Sequence, residues 1–106
     1  MIRVIVEHPA RTREDAEKII EIILQLRNEA MKQPGYITGE TLVDTADPRN
    51  VLVISTWDKA EHWNAWDTSD LRTSITRAMF PLLERPYSVK LYTFAMMRVG
   101  RVSSIF

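Results

Sequence analysis

All three tryptophans of the chain, Trp57, Trp63 and Trp66, fall within ten residues, with His62 and Asn64 among them. Indole walls with a few polar groups beside them are what a site for a flat organic ligand needs. The alternative for the same rings is core, because each indole buries roughly 150–250 Å² and commonly fills the junction of a helix and a sheet. His8 is the second histidine, and an imidazole can take or give a proton near neutral pH. Its place before Pro9 also fits a solvated loop residue. His62, between Glu61 and Trp63, reads as exposed helix surface. Arg72, Arg77 and Arg85 can bind an anionic group or simply solvate a helix face. The absence of cysteine removes disulfides, thiolate metal sites, iron–sulfur clusters and cysteine nucleophiles. No three metal ligands stand at a recognisable spacing. Neither a glycine-rich phosphate loop nor a Gly-x-Ser-x-Gly elbow is present.

The elements that must position these residues follow from periodicity. Ile2, Val4 and Val6 alternate with Arg3, Ile5 and Glu7, predicting a first strand that Pro9 stops. Ala16, Ile19, Ile20, Ile23, Leu26, Ala30 and Met31 recur at three- and four-residue intervals, predicting an amphipathic helix. Thr12 and Asp15 form a capping pair at its start, and Pro34-Gly35 stop it. Tyr36 to Asp44 and the apolar run from Val51 to Ile54, with Trp57 closing the strand, predict two strands, joined by the turn chemistry of Asp47-Pro48-Arg49-Asn50. Asp58 with Glu61 three residues later has the logic of a capping box, so a helix is expected from Lys59 to about Trp66. Trp63 and Trp66, three apart, share one of its faces. Fresh caps in Asp67-Thr68-Ser69-Asp70 precede Leu71, Ile75, Ala78, Met79 and Leu82, leaving open whether there is one bent helix or two. Pro81 should end or kink that segment. Tyr87, Val89, Leu91 and Thr93 alternate with Ser88, Lys90, Tyr92 and Phe94 in a fourth strand.

The order is β-α-β-β-α-β, the split βαβ of the α+β ferredoxin-like fold, an antiparallel sheet with both helices on one face and strands one and three central. At 106 residues the chain is expected to form one domain, residues 1–106, with 95–106 as an apolar tail that extends the last strand or docks on a partner. Two helices cover one sheet face only. The other face carries enough apolar surface to predict a homodimer in which two sheets stack or close into a barrel. Fourteen basic and fourteen acidic residues cancel, which gives no field favouring nucleic acid or an anionic membrane. With no signal-peptide core and no run of ~18 apolar residues, the chain reads as cytoplasmic and without a membrane span.

Assembled in this way, the chain from about Ile2 to Phe94 resembles the antibiotic biosynthesis monooxygenase family of small dimeric α+β barrels. The carriers are Pro34-Gly35-Tyr36, the turn Asp47-Pro48-Arg49-Asn50, the junction Ser55-Thr56-Trp57-Asp58-Lys59-Ala60-Glu61, Trp66, and Pro81-Leu82-Leu83 with Pro86. The resemblance implies one of several activities. A haem-degrading member would have an asparagine at the end of strand one, a tryptophan on the second helix and a histidine ten residues beyond it. Here Trp66 matches, but Glu7 and Thr76 occupy the other two places. The cofactor-free branch needs no metal or flavin, because an electron-rich, deprotonated quinol or anthrone itself passes an electron to oxygen. That likeness makes Trp57, Trp63 and Trp66 pocket walls. It makes Asn64 a hydrogen-bonding partner and His8 a polar candidate. Residues two apart on a helix point to different faces, however, which counts against Asn64 working beside Trp66. A dimer with the same barrel but no chemistry, binding a small ligand or serving structure alone, is the rival expectation.

Overall fold

In the computed structural model, which describes residues 1–95, four strands form one antiparallel sheet. They are β1 (Ile2–Pro9), β2 (Tyr36–Val43), β3 (Asn50–Trp57) and β4 (Ser88–Thr93), in the order β2-β3-β1-β4. Helices α1 (Arg13–Ala30), α2 (Ala60–Asp67) and α3 (Asp70–Thr76) lie between them in sequence, followed by a 3₁₀ segment (Arg77–Leu82). This is the α+β ferredoxin-like architecture, with β1 and β3 central as the pattern requires and the second helix divided in two. The expectation for the apolar tail falls on 96–106, outside the described residues.

Period-two alternation sorts the strands onto two faces. Val4, Val6 and His8 of β1 pair with Ser55, Val53 and Val51 of β3, and this face meets the buried side of α1, Ala16, Ile19, Ile23, Leu26 and Ala30. Arg3, Ile5 and Glu7 pair with Thr56, Ile54 and Leu52 on the opposite face. Thr12 caps α1 by accepting the Asp15 amide at 3.0 Å, the expected pair. Pro9 does not exclude His8 from the sheet. The ladder runs through Pro9, opposite Asn50, so His8 is a strand residue rather than a solvated loop residue.

The start of α2 differs from the capping-box expectation. Lys59 is the N-cap residue and makes no side-chain cap bond. The Asp58 carboxylate instead lies 2.6 Å from His62 Nδ1, one helical turn on. Gly35 explains the crowding. It has φ +85°, and a Cβ there would stand 2.3 Å from Asp58 Oδ1 and 2.4 Å from His62 Nδ1. The Asp58 amide also donates to the Gly35 carbonyl at 2.8 Å, so the turn after α1 is clasped under the β3–α2 junction.

Candidate functional site: an aromatic cleft between α1 and the sheet

The side chains that meet between α1 and the sheet leave a cleft. Its inner cavity is about 50 Å³, and the empty space reaches about 480 Å³ when the funnel open to solvent is included. The inner part has room for no more than a few waters, against about 150 Å³ for a cavity that admits benzene, so a ring would have to part its walls or occupy the funnel. Trp57, Trp63 and Trp66 are all buried and all line it. Trp57 stands edge-on to both Tyr36 and Trp63, with ring centroids 5.4 and 5.7 Å apart, the favoured arrangement for aromatic quadrupoles. Its indole N–H donates to Ser55 Oγ at 3.1 Å. The interior is therefore aromatic but not fully packed beside Trp66.

His8 lies in the same cleft, 3 % exposed. Its Nδ1 is 3.2 Å from the Val51 carbonyl, which can only accept, so Nδ1 carries the hydrogen and Nε2 is left as an acceptor. Burial pushes the imidazole down to about 4; the Val51 hydrogen bond opposes this shift, and the positive charge of Arg72 adds to it. The ring is neutral at pH 7 and lies 5.7 Å from Tyr87, centroid to centroid.

Arg72 is the least expected lining residue. On an unbroken helix it would lie about 180° around from Trp63, nine positions earlier. The backbone breaks between them. Ser69 caps α3, accepting the Arg72 amide at 3.2 Å, and its own hydroxyl donates to the Trp66 carbonyl at 2.7 Å. This shifts the buried phase of α3 to Arg72 and Thr76 and leaves Leu71 exposed, contrary to the apolar spacing that begins at Leu71. The Arg72 guanidinium then sits 5.0 Å over the Trp63 ring, with Nε donating to Asp67 Oδ1 at 3.2 Å. Arg77 and Arg85 are exposed.

Asn64 is exposed on the side of α2 away from the cleft and does not line it. His62 is half-buried, paired with Asp58. Glu7 is exposed on the opposite sheet face, and Thr76, at the place a haem ligand would take, donates its hydroxyl to the Arg72 carbonyl at 2.9 Å. Among the described residues no three His, Asp or Glu side chains converge on a metal position. Sequence reasoning missed Ser55, Tyr36, Gly39 and Arg27 as lining residues. Ser55 was reachable, since it shares the phase of Trp57. Gly39 makes room for Tyr36, whose hydroxyl would be 2.5 Å from a Cβ at that position.

Solved structures share this fold. The chain superposes on an antibiotic biosynthesis monooxygenase with a TM-score of 0.79 at 16 % identity, covering 91 % of this chain and 100 % of the other. SnoaB, a cofactor-independent oxygenase from Streptomyces nogalater, gives 0.76 at 11 % identity, covering 91 % and 94 %. A conserved protein from Methanosarcina mazei Go1 gives 0.78 at 18 % identity, covering 86 % and 89 %. No curated protein matches the sequence. The antibiotic biosynthesis monooxygenase family itself matches residues 1–76, a span that runs from β1 through the aromatic cluster and α3, and the chain belongs to that family.

Proposed function

We propose that this protein is a cytoplasmic, homodimeric, cofactor-independent monooxygenase acting on a planar aromatic or quinol-like small molecule. The observation that supports it best is the cleft, in which three indoles and Tyr36 surround a buried, neutral His8. Family membership and the likeness to a cofactor-independent oxygenase support the same class. The reaction needs an electron-rich ring that has lost a proton. For an anthrone-like CH₂ carbon, the anion gives one electron to dioxygen, the radical pair joins as a carbon-bound peroxide, and loss of water leaves a carbonyl. One oxygen atom stays on the substrate and the other leaves as water. In this scheme Trp57, Trp63 and Trp66 hold the ring, and His8 Nε2 accepts a hydrogen bond from the ionising oxygen. Exposed Asn64 has no part in it. The dimer forms through the sheet face that the helices leave open.

One observation favours a second reading, a ligand-binding dimer without chemistry. An imidazole held near 4 is a weak base, and no other imidazole lines the cleft. Oxygen uptake by metal-stripped protein against hydroquinones and anthrones separates the two. The oxygenase reading expects uptake above the uncatalysed rate, falling at least about tenfold in Trp66→Phe while near-ultraviolet circular dichroism stays native. Uptake equal in wild type and Trp66→Phe would remove Trp66 from the chemistry. No uptake across the panel would favour the binding dimer.

A further inference from the structure

The cleft is aromatic, and it is also electrically one-sided. Two guanidiniums line it, Arg72 and Arg27, and no carboxylate does. Arg72 is 6 % exposed. Its Nε is satisfied by Asp67, yet among the described residues its two terminal nitrogens make no hydrogen bond. A guanidinium presents five N–H donors in a planar fork, and the unbonded terminal pair of Arg72, in a residue that lines the cleft, is not sealed from solvent and is free to take an acceptor. Arg27 approaches from α1, donating through Nη2 to Thr41 Oγ1, and has no carboxylate partner among the described ion pairs. Asp67, half-exposed and bonded only to Nε, leaves the terminal edge of Arg72 open. His8 adds no charge of either sign.

We propose that the cleft binds a planar aromatic carboxylate, its two oxygens on the terminal nitrogens of Arg72 and its ring against the indoles. The fork geometry favours a carboxylate over a single phenolic oxygen, because two parallel N–H···O bonds need two acceptors side by side. Stacked on Trp63 and tied to Asp67, the guanidinium is held in place before a ligand arrives, which lowers the ordering cost of binding. Arg27 supplies the second positive charge of the same cleft. The ring extends into the open funnel, where the space is, and the acid occupies the small inner cavity. This deepens the monooxygenase reading by giving its substrate an acid group, and it rests on that reading only for the location of the site.

The test is calorimetric binding of 2-naphthoate and of its neutral isostere 2-naphthamide, with no oxidisable substrate present. Wild type should bind the carboxylate at least about tenfold more tightly than the amide, the discrimination expected of one charge-assisted pair. Arg72→Gln should bring the ratio to within about twofold of unity. Arg72→Lys, which keeps the charge and loses the fork, should fall between, and Arg27→Gln should lower the ratio less. A wild-type ratio below about two overturns the proposal, as does an unchanged ratio in Arg72→Gln or failure to bind either probe. Should Arg72→Gln not fold, the wild-type ratio and Arg27→Gln still decide. Selective naphthoate binding by a protein inactive in oxygen uptake supports this inference and sinks the oxygenase. Equal binding of both probes by an active enzyme does the reverse.

Discussion

The two faces of the sheet are built from the same strands and reach opposite states. Toward the helices, Val4, Val6, His8, Val51, Ser55 and Trp57 are all buried, and even the polar members have partners: His8 on the Val51 carbonyl, Ser55 on the Trp57 indole. Away from the helices, Ile5, Leu52 and Ile54 are only half-covered, Leu42 is 43 % and Tyr92 52 % exposed, and Arg3 meets Glu40 at 3.5 Å with both largely in solvent. The Arg3 Nε is nonetheless buried without a partner in the single chain. One face has used its apolar surface to enclose a site. The other keeps a row of aliphatic residues at the centre of the sheet, where only another surface can cover it.

Three measurements bear on that contrast, in order of expected effect. Trp57→Ala removes a fully buried indole from the enclosed face and should cost about 3–5 kcal/mol of stability, read from urea unfolding. A loss below about 1 kcal/mol would mean that this face is not the core. The second concerns His8. Because its folded value of about 4 lies below the ordinary 6.5, the unfolded chain binds the extra proton first, and stability falls as pH drops from 6.5 toward 4. The span corresponds to roughly 3 kcal/mol, and His8→Gln should flatten that part of the pH profile. A variant that keeps the slope would place the titrating group elsewhere. The third addresses the open face. Ile54→Glu, opposite Ile5 at the centre of the sheet, should weaken a dimer by at least about 100-fold, worth about 2.7 kcal/mol, in sedimentation equilibrium while leaving circular dichroism native. Wild type that sediments as a monomer would remove the partner and leave the open face to solvent.

The contrast between faces was legible in the sequence, because period two in β1 and β3 separates Val4 and Val6 from Arg3 and Glu7 without help from the rest of the chain. The indole cluster was legible for the same kind of reason: three-residue spacing on a helix fixes a shared face. His8 was obscured by Pro9, read as a stop that ended the strand at Glu7, two residues too early, although the phase of Val4 and Val6 already points His8 inward. The capping role given to Asp58 failed because the carboxylate had a competing partner in His62, and that competition depends on how closely the turn at Gly35 approaches. Arg72 was the least readable. Its burial depends on a backbone break whose angle no spacing rule supplies, and on a pairing with Asp67 across that break.

The strand order also sets a timetable. β1 is made first and is central, yet its β4 neighbour pairs Val89 with Val6, 83 positions later (89 − 6). At ribosomal rates of 5–20 residues per second, about 4 to 17 s separate the synthesis of those two residues. Through that interval the edge of β1 that will receive β4 stays open on the nascent chain, even after β3 has closed the other side. An open edge is a template for pairing with other chains. A chain cut short before Ser88 would therefore present two sticky edges, one of them in the middle of what should be the finished sheet.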